Sequence, residues 1–502
     1  MGITTKLLLD KNKLRILLIQ KVLNERILAM AKYTDISSVK KIVKLTHFST
    51  YFALATLGVS ALLTVLFSSY FPLFLLVTIP LIYLGPVLYL NYKKYEHINK
   101  INSEFPFFLI LAMINENIGK NIVDTFKEIS SVSLFPALSK EWQYIQKRMS
   151  LTGELLGTVL MKIGGEIGGE VGNFFYRYGL LKTQGITREL VNEMSKESLS
   201  NLSQRFADYL SHLEELIEIA FMIYLLLPLT IIAFSITFSI NYFILMLPLL
   251  FVPAILMYVD QLSPLRMYNV PLKKRDFLPF MSTIVFLPFI HLTLDVKILI
   301  LSLTLELWFT NYYLVIRKAD KMQSELPLLI ENTINYFRTG KSIKYSLIKL
   351  GERKLSLSRI IREIKNGIFK GGQIPVVNSP STIVNYVISI MRILDERGGR
   401  NEISLIRLSE FVQSLNMSTK VFLKKINLYE ALSIISPLIL VYAFSIMKSI
   451  GTTNDAYLLK PFIMIYSISL SVIFTKASRF TIFYTPIIIL TTVVSYLALH
   501  FI

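Results

Sequence analysis

Nine stretches of this sequence approach the ~20 consecutive apolar residues that cross a hydrocarbon layer ~30 Å thick. They lie near 48–68, 71–90, 219–240, 242–259, 277–294, 296–316, 431–449, 461–475 and 480–501. In hydrocarbon no water is present to pair with the backbone, so each stretch must close its own hydrogen bonds as a helix or join a closed barrel. No convincing strand alternation occurs, which leaves helices. The 502 residues are 53% hydrophobic, with a mean hydropathy of +0.54, too apolar for an ordinary soluble protein of this length. Prolines within the stretches, such as Pro80, Pro228, Pro248, Pro288 and Pro437, suit membrane helices, where neighbours satisfy the freed carbonyls.

Charge orients the chain. Residues 1–47 hold ten Lys/Arg against three Asp/Glu and no short apolar core ending in a cleavage site, so the expectation is a basic cytoplasmic segment rather than a cleaved signal. Segment 260–276 carries four basic and two acidic residues, including Lys273-Lys274-Arg275, and 317–430 carries twenty against ten. Basic residues near span ends mark the cytoplasmic side. Nine spans put all three there, together with 91–218, which is nearly neutral at fourteen basic to sixteen acidic residues. The C-terminus is then outside. Removing one central span would put the basic second insert outside, which favours nine. The basic excess also suits anionic membrane lipids. It lacks interleaved aromatics and any RNA-binding or zinc signature, so no nucleic-acid partner is expected. The chain has no Cys, which excludes disulfides and thiolate chemistry.

One segment occurs twice. Ser103-Glu104-Phe105-Pro106 precedes an apolar stretch and Gly119-Lys120-Asn121-Ile122. Ser324-Glu325-Leu326-Pro327 precedes another, then Gly340-Lys341-Ser342-Ile343. Aligned without gaps over 92–129 and 313–350, eight of 38 positions are identical: the pairs at Tyr92, Lys100, Ser103, Glu104, Pro106, Gly119, Lys120 and Ile122. Each copy follows a pair of apolar stretches and opens a polar insert that returns to the next. The repeating unit is two spans, an insert and two spans, and its even span count puts both inserts on one face. Pro106 and Pro327 are expected in a first helical turn, Glu104 and Glu325 beside a positive helix N-terminus. Gly119 and Gly340 are expected to end that helix in the left-handed conformation. Asn121 and Ser342 then cap the next helix, whose apolar stripe runs through Ile122, Phe126 and Ile129 or Ile343, Leu347 and Leu350. Stretches 187–218 and 401–430 read as amphipathic helices, and 371–382 as a loop or helix break.

The expected fold is therefore an all-α polytopic membrane protein of about nine transmembrane helices, with two cytoplasmic helical-bundle lobes from an internal duplication. Its divisions are 1–47, the hairpin 48–90, lobe 1 at 91–218, four spans at 219–316, basic lobe 2 at 317–430, and three spans at 431–502.

Catalytic chemistry finds little support. Gly340-Lys341-Ser342 resembles the end of a P-loop, but Asn335 stands where the loop needs Gly and no strand precedes it. Gly164, Gly168 and Gly172 share a helical face, which suits close packing or a flexible break, and Glu166 and Glu170 have no third ligand nearby for a metal. No catalytic, cofactor or metal site is expected. Glu306, inside a span, is a candidate contact for an intramembrane partner, against the simpler reading of a carboxyl bonded to a neighbouring helix. Arg359, Arg362 and Lys365 fall on one helical face. With Lys344, Lys349, Arg353 and Lys354 they form a candidate docking surface for an acidic protein, against the simpler reading of a solvated face.

The Glu-apolar-Pro start, the Gly-ended helix and the capped Ile helix resemble the type II secretion system F domain. That domain occurs in membrane platform proteins of type II secretion, type IV pili and archaeal flagella. The two copies, at about 91–240 and 312–449, cover more than half the chain, and the number of spans is most similar to the archaeal platforms. The resemblance implies a non-enzymatic platform in the cell membrane. A cytoplasmic hexameric secretion ATPase would dock on its lobes, pilin-like subunits would meet it in the bilayer, and it would form a homodimer. The competing reading is a transporter or channel with regulatory lobes.

Overall fold

The computed structural model describes residues 78–131, 135–182, 184–237, 248–249, 251–265, 267–270, 283, 292–350, 356–397, 402–450 and 456–501. The expected first span, most of 277–294, the basic N-terminal segment and Lys273-Lys274-Arg275 lie outside these residues. The chain divides into two compact units, Met1–Lys100 and Ile101–Ile502. The described part of the first unit, 78–100, is helical, and in it Glu96 sits 2.5 Å from both Lys93 and Lys100.

The helices are α1 (Thr78–Asn117), α2 (Ile122–Ser131), α3 (Pro136–Thr152), α4 (Leu156–Ile167), α5 (Gly169–Lys182), α6 (Thr187–Phe221), α7 (Leu227–Thr237) and α8 (Phe251–Leu262). The second half holds α9 (Leu294–Arg338), α10 (Ile343–Leu350), α11 (Ser358–Gly371), α12 (Thr382–Arg397), α13 (Glu402–Ile450), α14 (Ala456–Arg479) and α15 (Thr485–Ala498). A π-helical turn, Met222–Leu226, joins α6 to α7. Among the described residues there is no strand, only an isolated antiparallel bridge between Tyr268 and Ser381. Among the described residues three helical stretches are long and apolar enough to cross a membrane: Asp295–Arg338, Glu402–Ala443 and Lys460–Arg479. Phe251–Leu262 and Thr485–Ala498 are shorter apolar helices.

One expectation is overturned. Pro106 and Pro327 do not start helices; they lie inside α1 and α9, which run unbroken through them. A proline at position i leaves the carbonyl at i−4 without its donor. For Pro106 that carbonyl belongs to Asn102, and the Arg205 guanidinium of α6 donates to it at 3.2 Å. A long-range side chain thus replaces the lost helical bond. The amphipathic stretch 401–430 likewise continues without interruption into the apolar part of α13.

The two repeated motifs build matching hairpins. Gly119 and Gly340 take φ +81° and +78°, the left-handed helix ending. The amides of Lys120 and Lys341 then donate back five residues, to the carbonyls of Asn115 and Tyr336, at 2.9 and 3.1 Å. The Asn121 side chain accepts from Val123 N–H at 2.8 Å and Ser342 Oγ from Tyr345 N–H at 3.2 Å, as expected of caps. The stripes Ile122, Phe126, Ile129 and Ile343, Leu347, Leu350 are fully buried.

After the hairpins the copies diverge. The first continues through α3, α4 and α5. The second has α11 and α12; the loop between them, 372–381, lies within the expected 371–382 and stands where the first has α4. The glycine-rich segment is no continuous helical face: Gly168 and Gly169 have φ of +68° and +63°, and the chain turns back there. Gly164 of α4 then faces Gly172 of α5, and Gly157 faces Gly179. A methyl group on Gly164 would meet the Gly172 carbonyl at 2.5 Å. The glycines thus allow close backbone approach across a break, as expected of close packing, but they do not share one helical face. Glu166 pairs with Arg148 at 2.6 Å and Glu170 with Arg205, so each carboxylate is committed to an arginine.

Helices α9, α13, α14 and α15 pack against one another as an apolar bundle. At the end nearest the inserts its rings interlock: Phe309 and Tyr312 on Phe483, Tyr313 on Tyr484, and Tyr209 of α6 on Phe480 and Phe422.

Candidate functional site

The docking residues expected from sequence fall into three groups. Arg359 and Arg362 are exposed on the outer face of α11, whose inner face buries Ile360, Ile361 and Ile364. Lys365 is half-buried beside them, with its ammonium 5.9 Å from the exposed Phe369 ring, a cation–π distance. These residues form one basic and aromatic patch. Lys344 does not join it: its ammonium lies 2.9 Å from Asp395 of α12, whose carboxylate also faces the Lys344 N–H at 3.4 Å. Lys349 is exposed in the last turn of α10. Arg353 and Lys354 lie outside the described residues.

The motif carboxylates have a clear role. Glu104 is 2% exposed and accepts from the backbone N–H groups of Ala137 and Leu138 at 3.1 and 2.9 Å. Glu325 accepts from those of Ser356 and Leu357 at 2.9 and 3.1 Å. Both therefore neutralise a helix N-terminus, as expected. The terminus is that of α3 or α11, reached across the hairpin, rather than that of their own helix. Four amide donors at a helix start have no intrahelical partner, and a carboxylate there gains from both hydrogen bonds and the helix dipole.

The start of the second hairpin helix is also clamped twice. In the first copy Tyr178 of α5 accepts from Ile122 N–H at 3.1 Å and donates to Glu116 at 2.6 Å; burial and the Glu116 carboxylate hold its hydroxyl well above the usual phenol range. In the second copy Asp395 of α12 does the equivalent work. The two insert segments touch directly. Tyr386 of α12 stacks on Phe135 at 4.9 Å and meets Phe107 at 4.7 Å. Arg397 pairs with Glu128 and Asn115, and burial pulls its guanidinium below the usual range.

Where the apolar bundle meets the inserts lies a set of polar contacts that sequence reasoning missed. Arg479, at the end of α14, forms a two-pronged pair with Glu430 of α13 at 2.7 and 2.8 Å and covers the Tyr484 ring at 4.6 Å. Lys476 reaches Asp260 of α8 at 2.5 Å. Tyr268 donates to Asp320 of α9 at 2.6 Å; burial and Asp320 raise its hydroxyl well above the usual range. The chain around Tyr268 is tied to the start of α12 by backbone bonds, Asn269 N–H to the Pro380 carbonyl and Thr382 N–H to the Met267 carbonyl, at 2.9 and 3.1 Å. The available signal was charge at the ends of apolar stretches. Spacing alone does not say which ends meet.

Glu306 is placed differently from the expected partner contact. It is 3% exposed and points into the bundle, while its neighbour Leu307 is 66% exposed. Ser302 donates to it at 2.8 Å and Thr492 of α15 lies at 3.2 Å. An outside partner does not reach it in this packing; the simpler alternative, a bond to a neighbouring helix, describes it. Among the described residues no cluster of three or more His, Cys, Asp or Glu is arranged to hold a metal. No protein-family profile, curated protein or solved structure matches this chain.

Proposed function

We propose that this chain is a membrane platform for assembly of a type IV pilus-like filament, with nine spans and two cytoplasmic lobes derived from an internal duplication. The observation that carries the reading is the paired use of Glu104 and Glu325. Each projects from a helix that continues an apolar segment and grips the start of a later insert helix. Two copies of such a device would give a cytoplasmic motor two stiff handles on the membrane part. The bridge from Tyr268 to Ser381 supports placing the 260–276 loop and the second insert on one face, as the charge distribution requires.

In this reading a hexameric secretion ATPase docks on the lobes, and the patch of Arg359, Arg362 and Lys365 faces an acidic surface on it. Helices α9 and α13 carry motion past the Arg479–Glu430 contact to the spans, where pilin-like subunits are lifted into the filament. The protein itself performs no catalysis. Deleting it is expected to abolish filaments while pilin continues to be made; normal filaments in the deletion strain would reject the assignment. The motor contact is tested on the detergent-solubilised full chain by reversing the charge of Arg359, Arg362 and Lys365 and measuring the ATPase that copurifies. Unchanged copurification rejects that face.

A further inference from the structure

The bundle of α9, α13, α14 and α15 is apolar outside and rich in oxygen inside. Each helix contributes buried hydroxyls, and α9 adds the Glu306 carboxyl. The oxygens around Glu306 are short of hydrogen atoms. Glu306 Oε1 lies 2.8 Å from Ser302 Oγ and 3.2 Å from Thr492 Oγ1, and the two hydroxyls are 3.3 Å apart. Thr492 has one proton, and its shortest contact is the Ile488 carbonyl at 2.8 Å. When it donates there, its lone pairs face Glu306. Glu306 Oε2 is buried with no hydrogen-bond partner, and so are Ser471 Oγ and Thr475 Oγ1 of α14.

Counted in helical rise from a shared ring contact, these unsatisfied oxygens fall at similar depth. Along α9, Glu306 is seven residues from Tyr313, which contacts Tyr484, and Tyr484 lies beneath Arg479 of α14. Stepping the same distance back along α14, about 10 Å at the helical rise, arrives between Ser471 and Thr475. The basic residues of α14, Lys460, Lys476 and Arg479, stand near its two ends, and Lys476 and Arg479 pair with Asp260 and Glu430. Among the described residues no basic side chain forms an ion pair with Glu306.

A buried carboxylate without a cation is heavily penalised. Oxygens too far apart for a hydrogen bond can still share an ion. A hard cation takes oxygen at about 2.4 Å, so two of its ligands can stand up to about 4.8 Å apart. One carboxylate surrounded by hydroxyls balances a single positive charge.

We propose that Glu306, with Ser302, Thr492, Ser471 and Thr475, binds one monovalent cation of sodium's size inside the bundle, tying α9, α14 and α15 together. The inference stands apart from the platform reading, since it concerns only how the bundle is held.

The test uses the full chain in liposomes and dicyclohexylcarbodiimide, a lipid-soluble reagent for protonated carboxyl groups, with labelling at Glu306 read by peptide mass spectrometry. In sodium-free buffer Glu306 is expected to label. Sodium at ten times its half-protecting concentration is expected to slow labelling about tenfold, by simple occupancy, whereas the bulky cation N-methylglucamine is not. Equal labelling in both salts overturns the proposal, because a carboxyl neutralised by a proton alone behaves so. Absence of labelling in sodium-free buffer overturns it as well. Ser471→Ala retains the carboxyl and is expected to need more sodium for half protection; an unchanged requirement removes α14 from the site and refutes the proposal as stated. A parallel measurement compares thermal unfolding in sodium and N-methylglucamine chlorides. Sodium should raise the midpoint of the wild type but not that of Glu306→Gln, and an equal rise in both would count against the site.

Discussion

Replacing Glu104 with Ala removes a buried carboxylate that holds two amide donors at the start of α3. Hydrogen bonds to a charged group contribute about 1.5–3 kcal/mol each. Burial at 2% exposure limits replacement by water, so the expected loss is about 3–5 kcal/mol. Glu104→Gln keeps one acceptor oxygen and loses the charge, so about half that loss is expected. Glu325 is half-buried, and Glu325→Ala should cost about 1–2 kcal/mol, because water reaches the freed amides. The absence of native cysteine provides a clean assay. Ala137→Cys places one thiol at a buried position in the first turn of α3, and its alkylation rate in the detergent-solubilised full chain reports opening of that turn. A loss of 3–5 kcal/mol corresponds to labelling about 10²–10⁴-fold faster. Glu189→Ala, at an exposed site in the first turn of α6, is the control. If Glu104→Ala accelerates labelling no more than this control, the carboxylate does not hold α3 and the reasoning about both copies fails.

Other perturbations follow from the packing. Gly172→Ala drives a methyl group into the Gly164 carbonyl and should destabilise the α4–α5 hairpin by about 1–3 kcal/mol. Gly165→Ala has open space and should be neutral or stabilising by up to about 1 kcal/mol; both are read by thermal unfolding. Arg479→Lys keeps the charge but loses the two-pronged pair and the ring contact, so it should fail to restore the stability lost in Arg479→Ala. Full rescue by Lys would show that charge alone matters there. Glu430→Ala should cost about 3–5 kcal/mol by stranding the guanidinium, and Glu430→Ala/Arg479→Leu should recover much of that loss in the same measurement.

Sequence reasoning succeeded where local chemistry decides the outcome. Gly119, Gly340, Asn121 and Ser342 act through bonds spanning only a few residues, and their roles follow from residue type. The apolar stripes were equally legible, because burial of Phe126 or Leu347 follows from helical period. Pro106 and Pro327 misled for a physical reason. A proline ends a helix only when its freed carbonyl lacks another donor, and Arg205, over a hundred positions away, supplies that donor to Asn102. The same limit hid the partners of Glu104 and Arg479: the expectation of a nearby helix terminus identified the interaction for Glu104, but not which terminus. For Glu306, the sequence shows a carboxyl in an apolar helix, and only the packing decides whether it faces lipid, a partner or Thr492.

The unbroken course of α13 gives the Arg479–Glu430 pair a mechanical meaning. From Glu402 to Glu430 the helix extends about 42 Å, and from Glu430 to Ile450 about 30 Å. Ser436 Oγ takes up the Ser433 carbonyl that Pro437 frees, so the rod stays closed beyond the pair. A rigid rod held near Glu430 behaves as a lever with unequal arms. A tilt of about 5° would sweep its insert end through about 4 Å and its far end through about 3 Å in the opposite direction. Such a fulcrum trades travel for force: a push on the long arm arrives at the short arm reversed, smaller in stroke and greater in thrust.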